Sequence, residues 1–208
     1  MATKAVFYAA YNGSAALWVT DGTEAGTELL TTIGNSTEEP PIAFGNQVLF
    51  TAPFPGQPFA GGMGVTNGTP AGTSIITPPA NFIPNIGSQL FGTGATAGHE
   101  VVVEDTIGPD GLLVTDGTSA GTKTLSFPTV PPIFNWGIDT RLYSLGNVVI
   151  FGAGNTNVNG LVYDLWVSNG TSAGTMALPV SGEAVSGLNP QHITVLGNKA
   201  VFCWRKFR

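Results

Sequence analysis

One phrase returns four times along this chain, and that repetition limits the fold before any other property does. It first reads Leu17-Trp18-Val19-Thr20-Asp21-Gly22-Thr23-Glu24-Ala25-Gly26-Thr27. It returns as Met63-Gly64-Val65-Thr66-Asn67-Gly68-Thr69-Pro70-Ala71-Gly72-Thr73 and as Leu113-Val114-Thr115-Asp116-Gly117-Thr118-Ser119-Ala120-Gly121-Thr122. The fourth copy is Leu165-Trp166-Val167-Ser168-Asn169-Gly170-Thr171-Ser172-Ala173-Gly174-Thr175. The Asp or Asn positions 21, 67, 116 and 169 lie 46, 49 and 53 residues apart. A period of this size marks a repeat architecture, in which neighbouring units bury one another's apolar faces.

Each phrase reads as a hairpin. Leu-Trp-Val-Thr is β-branched and aromatic, as strands are. Asp-Gly or Asn-Gly then tolerates positive φ, and the Asp or Asn side chain can accept from backbone N–H groups just ahead. Ala-Gly-Thr leads into a second strand. A second signal interleaves: 42–50, 142–151 and 193–202 each read strand, Gly-Asn turn, strand. Its counterpart is expected near Gln89–Phe91 and Val101–Val103 with a longer loop between. Long Pro-rich links fall at 31–41, 77–88, 126–139 and 179–191.

Four short strands joined by one longer link describe a propeller blade. The expected fold is therefore all-β, a single domain over 1–208: a small β-propeller of four four-stranded blades. The segments at Ile42, Gln89, Leu142 and Ile193 are the expected inner strands. The N-terminal segment Ala5–Tyr8 enters as a second strand with no inner one, so the C-terminal hairpin 192–203 is expected to close the ring. That leaves Lys199–Cys203 repeating the part of Lys4–Tyr8, displaced to an edge or paired with another chain.

Composition narrows the function classes. Charged residues are 10% of the chain, against about a quarter in most proteins. A net charge of −6 disfavours nucleic acid, and no apolar run is long enough for a membrane-spanning helix. Cys203 is the sole cysteine, so no intrachain disulfide is expected. The opening residues lack the charged and apolar regions of a cleavable secretion signal. Arg205, Lys206 and Arg208 form the one basic cluster, read as a solvated end.

Candidate chemistry is sparse. Asp21 and Asp116 are the candidate Ca²⁺ ligands, but one carboxylate per turn is few for such a site, and capping of the turn is the favoured role. His99, Glu100, Glu104, Asp105 and Asp110 form the densest polar stretch, read chiefly as loop and edge charges. Gly92–Gly98 resembles a phosphate loop but lacks the Lys-Ser/Thr and helix that would complete one, and is expected to be a hairpin turn. No hydrolase, zinc-protease or nucleotide signature is present, so no enzyme is expected. Aromatic residues in Pro/Gly-rich links, Phe54, Phe59, Phe82, Phe134 and Trp136, with His192 at the start of an inner strand, are the candidate ligand-binding set. They suit a carbohydrate or peptide face, although packing between blades is the favoured role. Trp18 and Trp166 hold the same repeat position and are expected in the core between blades. The Asn-Gly-Ser/Thr strings at Asn12, Asn67 and Asn169 and the string at Asn35 match glycosylation acceptors and are read as turn chemistry.

The string from Leu17 through Asp21-Gly22-Thr23 to Gly26-Thr27 resembles the ELWxxDGTxxGT repeat of large bacterial proteins, some of them exported. The resemblance implies a repeat fold and an extracellular or cell-surface location, with no settled activity. Gly64 stands where that pattern has Trp, and Asn67 and Asn169 where it has Asp. The reading that follows is a non-catalytic recognition module, for glycan or another surface polymer. A structural protein that self-assembles into a homo-oligomer through its surplus strand comes next, and an enzyme of unknown class third.

Overall fold

The computed structural model describes residues 4–34, 40–54, 57–77, 94–98, 100–104, 112–125, 141–157, 160–181 and 187–204. These residues are all-β apart from a single 3-10 turn at Pro70–Gly72. The chain divides into two compact units, one of residues 1–91 with 115–123 and the other of 92–114 with 124–208.

Five small sheets follow one another in chain order. The first has three strands, β1 (Ala5–Tyr11), β2 (Ser14–Thr20) and β3 (Glu28–Gly34). The second has four, β4 (Ile42–Phe44), β5 (Gln47–Phe54), β6 (Gln57–Thr66) and β7 (Thr73–Ile76). The third also has four: β8 (Gly94–Ala97), β9 (Glu100–Glu104), β10 (Leu112–Thr115) and β11 (Lys123–Thr124). So does the fourth, with β12 (Tyr143–Leu145), β13 (Val148–Asn157), β14 (Gly160–Ser168) and β15 (Met176–Ala177). The fifth is a hairpin of β16 (Pro190–Leu196) and β17 (Lys199–Trp204). In each sheet, strands adjacent in sequence are adjacent in space.

One expectation is corrected. The third sheet opens with β8, and the expected strand at Gln89–Phe91 lies outside the described residues. Gly94–Ala97 is thus a strand rather than a turn, and Ala97 pairs with Glu100 across a two-residue connection. Gly98 (φ 66°) takes the place that Gly45 (φ 52°), Gly146 (φ 64°) and Gly197 (φ 60°) take elsewhere. Positive φ at the first of two turn residues is the type II′ arrangement, which matches strand twist. Lys199–Cys203 lies in β17, which pairs with β16 in a two-stranded sheet and turns Ala200 and Phe202 onto the fourth sheet, beside Ile150, Leu165, Val167 and Leu178.

That contact repeats a pattern. In the first unit, Val6, Tyr8, Leu17, Val19 and Leu30 of the first sheet pack against Phe50, Ala52 and Ile75 of the second. In the second unit, Val102, Leu112, Val114 and Leu125 pack against Val149, Phe151, Ala153 and Trp166. Strand alternation produces this: successive side chains take opposite faces, so within each unit one face of a sheet is free to meet its neighbour. Phe7 pairs with Trp18 and Phe151 with Trp166 in the same register. Gly64 is opposite Phe50, whose ring fills the space; a Cβ on Gly64 would overlap it. The missing Trp of the second phrase is thereby accounted for.

Turns stack along with the sheets. A Cβ on Gly117 would come within 3.2 Å of Val65 and 3.1 Å of Phe44, and one on Gly170 within 3.3 Å of Val114. Gly22, in the first phrase, would meet nothing within 4 Å. Backbone strain is the same at Gly22 (φ 92°) and Gly117 (φ 90°), so the pair isolates the packing contribution. We expect Gly117→Ala to cost more than Gly22→Ala by about 1–2 kcal/mol in urea unfolding, the usual overpacking range; equal costs would refute the stacking. By the same logic Phe151→Ala, at 0% exposure, should cost about 3–5 kcal/mol, and Phe7→Ala, at 37% exposure, about 1 kcal/mol.

Candidate functional site

The recurring polar residues build one bonded turn four times over. In the first copy Asp21 Oδ1 accepts from the Thr23 amide (3.0 Å) and the Thr23 hydroxyl (2.7 Å). Thr23 Oγ1 in turn accepts from the Gly26 amide at 3.0 Å, and the Thr27 hydroxyl donates to the Thr23 carbonyl at 2.6 Å. Thr20 Oγ1 accepts from the Gly22 amide at 3.0 Å and lies 2.7 Å from Thr27 Oγ1. The second, third and fourth copies repeat the set with Asn67, Asp116 and Asn169 in the acceptor position. The second Gly of the phrase is there because the acceptor side chain folds over it: a Cβ on Gly26, Gly72, Gly121 or Gly174 would overlap Asp21, Asn67, Asp116 or Asn169.

The bonding explains the electrostatics. Asp21 and Asp116 have pKa values below the usual Asp value, first because of the Thr23 and Thr118 hydroxyl bonds and then the amide bonds of the same residues. Asn67 and Asn169 accept the same pair of bonds with no charge. The acceptor oxygen, and not the negative charge, is what the turn requires. Among the described residues no group of three or more His, Cys, Asp and Glu is gathered where a metal would sit.

The candidate ligand-binding residues are not brought together among the described residues. Phe54 and Phe59 lie in β5 and β6, but their side chains are outside what is described, and Phe82, Phe134 and Trp136 fall wholly outside it. His99, Asp105 and Asp110 do as well. Glu100 opens β9 with its carboxylate against the Asn169-Gly170 turn, 2.5 Å from the Cβ position of Gly170. His192 is exposed, with φ 54°, at a register shift between Gln191 and Thr194. Trp166 is buried at 4% exposure as expected, stacked on Phe151. Trp18 is half-buried, with Tyr11 edge-on at 5.8 Å.

Sequence reasoning missed two uncovered faces. On the first sheet, Phe7 (37% exposed) and Tyr11 (38%) flank Trp18. On the last hairpin, Leu196 is 74% and Val201 60% exposed. A signal was present: the string Lys-Ala-Val-Phe occurs at 4–7 and again at 199–202.

No protein family matches the chain, and no curated protein does. Among solved structures it is similar to a crystal structure of a puromycin hydrolase mutant complexed with PGG, with a TM-score of 0.54 at 12% identity. The match takes in 96% of this chain and 31% of that one. At that identity the likeness is one of fold alone.

Lowered carboxylate pKa values stabilise the folded chain above the unfolded range of about 3.9, and that stabilisation is lost as pH falls through the folded values. The double variant Asp21→Asn, Asp116→Asn keeps both acceptor oxygens and removes the titration. Thermal midpoints should differ least in strong acid, with the wild type losing ground below about pH 4. A wild-type-to-variant difference that stays constant on acidification would show the two aspartates to be uncoupled from folding.

Proposed function

We propose that the chain is a non-catalytic recognition module built as a β-propeller, with glycan or another surface polymer as its ligand. The observation that carries this reading is the bonding of the turn phrase. Its Asp or Asn oxygen is spent on the turn itself, in the same way with or without a charge, so the repeated residues serve as scaffold and not as a reactive centre. In this reading the four phrases belong to four blades. The three-stranded first sheet and the two-stranded last one support a ring in which β16 lends β1 its missing inner strand. The link aromatics Phe54, Phe59, Phe82, Phe134 and Trp136, with His192, are the proposed contacts to ligand, and a cell-surface or exported location fits the ligand class.

The measurement is binding of the purified chain to a panel of immobilised polysaccharides, repeated with Trp136→Ala and Phe59→Ala. Retention of one polysaccharide class, weakened roughly tenfold by loss of a stacking ring, is the expected result. No retention by any polysaccharide would sink the glycan reading. A second reading, self-assembly, is favoured by the two uncovered apolar faces.

A further inference from the structure

The string Lys4-Ala5-Val6-Phe7 in the first sheet recurs as Lys199-Ala200-Val201-Phe202 in the last hairpin, and the two copies have opposite exposure. Val6 packs into the core of the first unit while Phe7 is 37% exposed. Phe202 packs on the fourth sheet while Val201 is 60% exposed. Where the equivalent pair lies in an inner sheet, both members are covered: Leu49 and Phe50 at 0%, Ile150 at 2% and Phe151 at 0%.

Sheet contacts in this protein are of one kind. A face of Val6 type meets a face of Phe7 type, between the first and second sheets, the third and fourth, and the fourth and the last hairpin. Among the described residues, one face of each kind is left uncovered, one in each unit. Phe7, Tyr11 and Trp18 form the first, Leu196 and Val201 the second. In the fourth sheet, the same Phe–Trp register pair, Phe151 with Trp166, is covered by Val102, Leu112, Val114 and Leu125, an aliphatic face like the one Leu196 and Val201 leave bare. A sugar is a poorer fit for the aromatic half. The Trp18 indole N–H is buried, with no hydrogen-bond partner among the described residues, so it is not available to a hydroxyl.

We propose that the Leu196–Val201 face of one copy docks on the Phe7–Tyr11–Trp18 face of a second copy, continuing the sheet-to-sheet contact from chain to chain. The contact is heterologous, so it propagates into a closed ring or an open filament. Face docking between copies and strand lending within one chain are alternative ways of satisfying the two ends, so the proposal rests on the self-assembly reading and not on the closed ring. The inference goes beyond glycan recognition and deepens the self-assembly reading.

The test is sedimentation velocity over a range of concentrations on the full chain, on Phe7→Asp, on Val201→Asp, and on their equal mixture. The wild type is expected to associate. Each single variant should be monomeric, its self-association weakened roughly thirtyfold or more, as for loss of a hot-spot contact. The mixture should form a dimer and stop, because each variant keeps one intact face and the two remaining faces are complementary. A monomeric wild type overturns the proposal, as does association surviving either substitution. A mixture that stays monomeric overturns it too, because it points to a symmetric contact. Circular dichroism melting checks each variant's fold, and Leu196→Asp, at a residue 74% exposed, replaces Val201→Asp if that variant melts early. Glycan retention by a monomeric variant is read separately, so failure of either idea leaves the other standing or falling on its own measurement.

Discussion

The interaction on which the rest of the structure depends is the pair of hydrogen bonds that Asp or Asn Oδ1 accepts across the turn, from the amide and the hydroxyl of the Thr two residues on. It fixes a tight reversal of fixed shape between the last two strands of each of the first four sheets. A bond of this kind contributes only about 1 kcal/mol, but a turn without it would leave buried groups such as the Gly117 amide and Thr115 hydroxyl misdirected. Thr115 is 0% exposed, and its hydroxyl lies 2.6 Å from that of Thr122. The hydroxyl pair under the second, third and fourth turns is thus the polar end of an apolar region, satisfied within the phrase.

Fixed turns give fixed faces. With the hairpin register set, alternation sends Val19, Val65 and Val167 to one side and Phe7, Phe50 and Phe151 of the neighbouring strands to the other. Hydroxyl contacts then add specificity at a few points. Tyr8 sits in the apolar contact of the first two sheets, and its hydroxyl accepts from the Thr51 amide at 2.9 Å, so a large ring is placed in a core without an unsatisfied oxygen. Thr96 and Ser144 do the same between β8 and β12, with the Thr96 amide donating to Ser144 Oγ at 2.8 Å.

Much of this was legible in the sequence. The four phrases sat where the hairpins are, because Asp-Gly and Asn-Gly have few other uses between apolar strands. The Gly-Asn turns located β4–β5, β12–β13 and β16–β17. The strand β8 was misread because His follows Gly98 in the sequence where the other copies have Asn, and Ala95-Thr96-Ala97 is too weakly apolar to announce a strand. Gly64 looked like a lost core residue, and only the position of the Phe50 ring shows the exchange. The binding candidates were chosen from links by composition, and composition says which rings are available but not which neighbours cover them.

Coverage is the property a repeat sequence hides most completely. Lys-Ala-Val-Phe spells the same strand at 4–7 and 199–202, and periodicity assigns Val and Phe to opposite faces in both. Which of the two is wet depends on whether a sheet precedes or follows, and that is a matter of position in the array rather than of local sequence. A burial pattern that inverts between two copies of one string is accordingly evidence about neighbours. Val201 is bare and Phe202 covered because, among the described residues, the fourth sheet packs on the Phe202 side of β17; Phe7 is bare and Val6 covered because the second sheet packs on the Val6 side of β1. Residues of this kind carry no chemistry, and a search for reactive groups passes over them. Their information is geometric: the same apolar contact that holds the sheets together within the chain is left half-made at two places, and in water a half-made apolar contact of complementary shape favours the surface that completes it.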